Sequence, residues 1–395
     1  MRICLVSQEY PPETARGGIG SQTHAKAHGL ASRGHEICVV SAAVGGRARE
    51  CRDGPVRVFR VPGFDSRMCL NTEPARWLTY SAEVAATLSK LHREAPFHLV
   101  DFPEYGAEGY IWLLNRAAWD YVPAVLHLHG PLVMFAHTMG WPEVDSEFYR
   151  TGTAMESTCF RLADAVYSSS SCSAAWCTRY YGARRGPIPT LHTGVDIKLF
   201  QPAAATTMRP TVVFAGRIDC NKGVSTLVEA VCVLAREFAG LRLRVFGDGD
   251  PELIQSLRAR ARDSSQPELL EFMGYVPREE LPSHLAGAHI FAAPSIYEGG
   301  PGLVYLEAMA CGLPVIACRG NGASEVVHHE KSGFLVPPRD VPAVVEALRA
   351  LLSNADLRRS MGLRARHFVE AEADTRNCLD RLEAFYRSAA HQEAA

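Results

Sequence analysis

Pro294-Ser295-Ile296-Tyr297-Glu298-Gly299-Gly300-Pro301-Gly302-Leu303-Val304-Tyr305-Leu306-Glu307-Ala308-Met309-Ala310-Cys311-Gly312-Leu313-Pro314-Val315-Ile316-Ala317 is the stretch on which the reading of this chain turns. An apolar strand-like run, residues 290–293, leads into it, and a second, residues 314–317, closes it. Between them lie an acidic residue, a glycine-rich turn and a helix-like run, residues 304–310, which carries a second acid. A strand, a loop, a helix and a strand in that order build a parallel sheet covered by helices. The glycines let backbone N–H groups approach a ligand closely, and the N-terminus of the following helix favours an anion such as phosphate. A carboxylate beside that cradle repels phosphate but accepts hydrogen bonds from hydroxyls. The combination suits a ligand with a phosphate end and a polyol end, as in a nucleotide sugar.

The same rhythm runs outward from this unit. Upstream, strand-like segments are expected at residues 3–7, 36–41, 56–61, 99–102, 124–129 and 165–168, with amphipathic helices at 23–33, 77–94 and 147–162. After Gln201-Pro202-Ala203-Ala204-Ala205-Thr206-Thr207-Met208-Arg209-Pro210, a small, polar stretch bracketed by prolines, strands recur at 211–215, 242–246 and 270–272, and helices at 226–238, 251–262 and 341–353. Apolar strands alternating with helices predict an α/β protein of two doubly wound domains, with ligands at the carboxyl ends of the strands. The expected division is residues 1–200, a linker at 201–210, residues 211–374, and a closing amphipathic helix at 375–395 that could pack on either domain.

Composition bounds the function. The chain of 395 residues is 47% hydrophobic and 21% charged, with a formal net charge of −2, so no global basic excess points to nucleic acid. Several of the 12 cysteines sit inside apolar runs, as in Ile3-Cys4-Leu5, and no Cys-x-x-Cys pair occurs. They read as small buried hydrophobes in a reducing compartment, with no zinc or iron–sulfur site. The opening apolar run is too short for a signal peptide, and no run approaches the length of a membrane span. The expectation is a cytoplasmic protein, at most peripheral at the inner face of a membrane.

Four further loops carry candidate chemistry. The first strand is followed by a long loop ending Gly17-Gly18-Ile19-Gly20, placed where phosphates or substrates bind; Thr23 stands where a dinucleotide fingerprint needs its third glycine, which disfavours a nicotinamide oxidoreductase. In Val125-Leu126-His127-Leu128-His129-Gly130-Pro131 strand alternation puts both histidines on one face. His129, nearer the carboxyl end, is the stronger substrate contact, and no further metal ligands are evident beside the pair. Gly216-Arg217-Ile218-Asp219-Cys220-Asn221-Lys222-Gly223 sets two cations between a strand and a helix, suited to a diphosphate. In Gly247-Asp248-Gly249-Asp250-Pro251 the Asp-x-Asp pair reads as turn chemistry and a helix cap rather than a metal site.

Taken with Gly194-Val195-Asp196 and Phe272-Met273-Gly274-Tyr275-Val276, these motifs in this order resemble the retaining nucleotide-sugar glycosyltransferases of the GT-B fold, glycosyltransferase family four. The resemblance covers nearly the whole chain and is strongest from Thr211 to Pro337. It implies two Rossmann-like domains facing each other across a cleft. It further implies metal-independent transfer of a hexose-type sugar from a nucleoside-diphosphate sugar, by default a UDP-sugar, to an acceptor hydroxyl, with no cofactor. Arg217 and Lys222 would neutralise the diphosphate. Glu298, with Gly299, Gly300, Gly302, Leu303 and Val304, would hold the sugar, and Glu307 the ribose. Tyr275 and Val276 would lie near the base, Gly17, Gly18 and Gly20 near phosphate or acceptor, and His129 near the reacting carbon. Phe102, Tyr105, Met134 and His137 are candidate acceptor contacts in the first domain, and the acceptor could be lipid-linked. One departure stands out: the family places seven residues between the two glutamates and this chain places eight, so either the turn bulges or Glu298 shifts. A nucleotide-sugar epimerase of the same fold and a non-catalytic nucleotide-sugar-binding protein are the alternatives.

Overall fold

The strand Arg2–Val6 (β1) sends Cys4 and Val6 into one hydrophobic cluster and Ile3 and Leu5 into another, so its sheet is covered on both faces. In the computed structural model, which describes residues 1–14, 18–63, 72–117, 120–184, 186–202, 209–262, 266 and 268–391, the chain divides into two units. One is Met1–Thr193 with Arg376–Ala395, and the other is Gly194–Thr375.

The first unit holds β1, Glu36–Ala43 (β2), Arg49–Asp53 (β3), Val56–Pro62 (β4), Leu99–Pro103 (β5), Ala124–Leu128 (β6) and Ala165–Ser168 (β7). They form one sheet in the order β3-β4-β2-β1-β5-β6-β7, parallel except for the β3–β4 hairpin at its edge. The closing helix, Thr375–Ala390, packs here: Leu379, Leu382, Tyr386 and Ala389 join the cluster under Ile3 and Leu5. Leu379 lies so close to Gly29 that a Cβ there would meet its Cδ1 at 2.5 Å. Beneath the helix is a buried polar knot. Lys26 Nζ lies 3.0 Å from Asp101 Oδ2 and donates to the Tyr167 hydroxyl at 3.1 Å, and the Tyr386 hydroxyl also donates to Asp101. An ion pair out of water is tolerated only when its remaining hydrogen bonds are made, and removing one partner costs about 3–5 kcal/mol.

The second unit holds Thr211–Ala215 (β8), Arg242–Phe246 (β9), Leu270–Gly274 (β10), Ile290–Ala292 (β11), Val315–Cys318 (β12) and Gly333–Val336 (β13). Its order, β10-β9-β8-β11-β12-β13, is parallel throughout and reverses direction between β8 and β11. Loops leaving a parallel sheet at such a reversal diverge and open a ligand site. One hydrophobic cluster runs through the unit from Val195 to Ala373.

The boundary falls earlier than the proline-bracketed stretch suggested. Val195 and Phe200 are fully buried in the second unit's core, and Arg366 donates to the carbonyls of Ile197 and Phe200. Residues 194–202 therefore belong to that unit, and residues 203–208 of the expected linker lie outside the described residues. The chain leaves the unit beside the point where it enters: Val195 N–H donates to the Ala373 carbonyl at 2.9 Å, and Thr375 N–H to the Val195 carbonyl at 3.1 Å. Gly194 is needed there, since a Cβ would meet Thr375 Cα at 2.4 Å. Among the described residues no helix is long and apolar enough to cross a membrane.

Candidate functional site

The loops that leave β8 and β11 at the reversal carry Lys222 and Glu298, and the structure joins them. Asp219 Oδ1 accepts from the backbone N–H groups of Asn221 and Lys222 at 2.9 and 3.0 Å, which curls the loop into an Asx turn. Asn221 then bridges to the second loop: its Oδ1 accepts from Tyr297 N–H at 2.9 Å, and its carbonyl from Ile296 N–H at 2.8 Å. Gly223 follows with φ of 73°, and a Cβ on it would lie 2.0 Å from the Pro294 carbonyl oxygen. Only glycine permits this approach. The outcome is that Lys222 Nζ donates to Glu298 Oε1 at 2.6 Å.

The glycine turn is fixed from its other side as well. Gly322 N–H donates to the Glu298 carbonyl at 2.8 Å, and Asn321 Nδ2 to the Ser295 carbonyl at 3.0 Å. Gly302, with φ of 73°, caps the helix Leu303–Ala310. Eight residues separate Glu298 from Glu307, and the helix that carries Glu307 is uninterrupted from Leu303 to Ala310. Glu307 is buried in it, 2.7 Å from Arg278 Nη2. Burial pushes the Glu307 carboxyl up and Arg278 pulls it back. Arg217 is largely exposed, with Asp219 a loose partner at 3.6 Å. Gly299 is buried, while Gly300, Leu303 and Val304 are half-buried. Val276 is half-buried and Tyr275 is exposed beyond Gly274, whose carbonyl accepts from Gly247 N–H.

In the first unit the loop after β6 is anchored by carboxylates that carry no local sequence pattern. Glu104, fully buried, accepts from the backbone N–H groups of His129, at 2.8 Å to Oε1, and Gly130. Glu156, equally buried, accepts from Leu132 N–H at 2.9 Å and from the Tyr181 hydroxyl. Burial raises the Glu104 carboxyl to about 7, with those N–H groups drawing it down. Glu108 closes the neighbouring loops, its carboxylate accepting from Gln8 N–H at 3.0 Å, and burial raises it to about 8.

The two histidines separate here. Both are held neutral, chiefly by burial. His127 is occupied on both nitrogens, with Nε2 2.8 Å from Ser169 Oγ and Nδ1 3.3 Å from Lys26 Nζ, and its ring stacks on Tyr167. It is a structural residue. His129 Nδ1 is buried and has no hydrogen-bond partner among the described residues. A polar atom in that position costs about 1–3 kcal/mol unless something else meets it.

Two expected acceptor contacts are corrected. Phe102 and Met134 are buried in the core, Phe102 under Gly109 and Met134 against Ser173, so neither presents a face to a ligand. Tyr105 is half-buried with its ring edge-on to Trp77. His137 is exposed beside Trp176, Tyr180 and Tyr149. Gly17 lies outside the described residues. Gly18 opens the helix Gly18–Ala31, and the buried Gly20 donates its N–H to Glu9 at 3.4 Å.

Known proteins share this organisation. Residues 209–354 match a family model described as glycosyl transferases group 1, and residues 17–194 match one described as a glycosyl transferase 4-like domain. The chain is 30% identical to a GDP-mannose-dependent alpha-(1-6)-phosphatidylinositol monomannoside mannosyltransferase of Mycobacterium tuberculosis, over 94% of each chain. It is 28% identical to a glycogen synthase of the same species, over 93% of this chain and 90% of the relative. Sucrose-phosphate synthase from Thermosynechococcus elongatus superposes with a TM-score of 0.81 over 98% of both chains, at 22% identity.

Proposed function

Because the chain belongs to the group 1 glycosyl transferases of GT-B architecture, we propose that it moves a hexosyl group from a nucleoside-diphosphate sugar to an acceptor hydroxyl, with retention and without a metal ion. The observation that carries this reading is the Lys222–Glu298 pair at the β8/β11 reversal. It sets a cation and a hydroxyl-accepting carboxylate side by side, between a glycine turn and a helix N-terminus.

When the bond from the anomeric carbon to the diphosphate breaks, negative charge builds on the leaving oxygens. Lys222, exchanging Glu298 for the diphosphate, Arg217 and the N–H groups ahead of the Leu303–Ala310 helix meet that charge from a fixed scaffold, and such charge stabilisation is usually the largest single contribution in a site of this kind. The acceptor oxygen forms its new bond on the face the diphosphate leaves, and its proton passes to a diphosphate oxygen. Glu298 accepts from sugar hydroxyls, and Glu307, held by Arg278, accepts from the ribose. His129, neutral, offers Nδ1 to a sugar hydroxyl.

A GDP-hexose is the first donor to test, on the strength of the GDP-mannose-dependent relative at 30% identity; the UDP-sugar implied by the sequence resemblance is the comparison arm. Acceptor binding falls to the first unit, where His137 and its aromatic neighbours present a surface a sugar ring can stack on. A lipid-linked polyol is the acceptor class, supported by the relative named for phosphatidylinositol monomannoside; free inositol 3-phosphate, named for another relative, is the soluble comparison. A donor and acceptor panel tests the reading. One nucleoside diphosphate should raise the melting temperature, and the matching sugar nucleotide should label an acceptor in the presence of EDTA. No stabilisation by any diphosphate overturns the donor site, activity restored to a dead EDTA-treated enzyme only by magnesium overturns metal independence, and product formed without acceptor indicates an epimerase.

A further inference from the structure

His24 and His28 stand four residues apart on the Gly18–Ala31 helix, so they share one face, and their rings lie 4.2 Å apart. The β3–β4 hairpin brings a third group to that face. Asp53 ends β3, directly before Gly54, whose φ of 56° makes the turn. Asp53 Oδ2 lies 2.8 Å from His28 Nε2 and 3.3 Å from His24 Nε2, and the ligand atoms of all three residues lie within 4.8 Å of one another. The Tyr10 hydroxyl donates to the same carboxylate at 2.9 Å.

We propose that His24, His28 and Asp53 form a binding site for one divalent transition-metal ion, resident in the first unit and separate from the diphosphate loops of the second. Tetrahedral coordination at bonds of about 2.0–2.1 Å sets ligand atoms roughly 3.3 Å apart, close to the two spacings that Asp53 already makes with the histidines. Two imidazole nitrogens and one carboxylate oxygen suit zinc, cobalt or nickel; magnesium and calcium favour oxygen ligands. The three side chains are 32–40% exposed, which leaves a fourth position open to water and a path for the ion. The Tyr10 hydroxyl donates to that same Oδ2 and steadies the carboxylate, an outer-shell contact of the kind ligating groups usually have. An ion here would join the helix that follows the first glycine loop, the edge hairpin, and the Tyr10 segment leaving β1. Its effect would be to brace that loop.

The test uses the untagged full-length protein, stripped with chelator and titrated with cobalt and with zinc. Cys220, an exposed thiol, is replaced in every sample (Cys220→Ser) so that it cannot supply metal binding of its own. The expected result is one equivalent of cobalt per chain, with the visible absorption of a low-symmetry four-coordinate ion, and a rise in melting temperature with zinc. Both should be lost in His24→Gln, which alters a partly exposed side chain and leaves Tyr10 and His28 bonded to Asp53, and in the double variant with His28→Gln. Equal cobalt binding by wild type and His24→Gln, or no stoichiometric binding by wild type, overturns the proposal. So does an unfolded His24→Gln, because it would give the histidine a purely structural role.

Discussion

The diphosphate loops of the second unit and the His129 loop of the first solve opposite problems. Lys222 and Glu298 neutralise each other close to solvent, and backbone bonds and glycines hold the loops around them, so the ion pair can exchange partners without the scaffold moving. His129 sits on a loop tied down by carboxylates that are themselves fully buried, and its charge is suppressed. A site that meets an anion keeps its charges exchangeable. A site that offers a neutral acceptor atom to a sugar suppresses charge by burial, in the histidine and in the carboxyls beneath it.

Substitution should pull the two designs apart. Lys222→Ala is expected to cut turnover at saturating donor by roughly 100- to 1,000-fold, the scale for losing one preorganised charge contact, while moving the melting temperature little because a partly exposed pair contributes about 1 kcal/mol or less. Steady-state kinetics with a thermal melt check this, and a melt that falls in step with activity would erase the distinction. The histidines give the matching contrast inside the first unit. His129→Ala should lose about 10- to 100-fold in turnover with a near-normal melt. His127→Ala should instead lose about 1–3 kcal/mol of stability, since Ser169 and Lys26 are left without it.

A pH titration sharpens the comparison further. Glu104 and Glu108 have folded values of about 7 and about 8, above the unfolded range, so the native state binds more protons and stability falls as pH rises through that interval. His127 and His129 are depressed, so their penalty acts as pH falls below their unfolded value near 6.5. Between pH 6.5 and 8 the raised carboxyls act, Glu156 among them, and denaturant unfolding should show a loss of about 2 kcal/mol or more. Glu108→Gln should flatten part of it; an unchanged slope would mean other groups carry it. The smallest effect is expected at Tyr275, which is 69% exposed. Tyr275→Ala should raise the donor KM by a few-fold at most, within about 1 kcal/mol, with kcat kept.

The alternation of strands and helices was legible because burial on both faces writes continuous apolar runs into a parallel sheet. Several elements escaped, the helices Leu132–Met139 and Ala355–Phe368 among them. Arg49–Asp53 is charged because it is an edge strand, and Gly333–Val336 is four residues long. The Ser171–Tyr181 helix is rich in serine and cysteine, although Ser170 caps it by accepting from Ser173 N–H. The glycines around Glu298 and Lys222 exposed those loops to sequence reading, since close backbone approach needs glycine at fixed places. Arg278, Glu104 and Glu156 left no such mark, because a long-range partner for Glu307 or a buried acceptor for a backbone N–H obeys no local spacing. Asp53 was missed for the same reason as its strand: the histidine pair is visible as a helical repeat, but its third member arrives through the hairpin.

The closing helix has a consequence for how the molecule is made. Every strand described in the first unit has been synthesised once Ser168 is translated, yet Leu379, Leu382 and Tyr386 of its core come from beyond the second unit. The second unit is an insertion, contiguous in sequence and able to mature during synthesis, while its host waits with Ile3, Leu5 and the Asp101–Lys26 pair uncovered. The part of the protein begun first is therefore completed only after the insert has been made, and without the closing helix the insert would stand finished in an unfinished host.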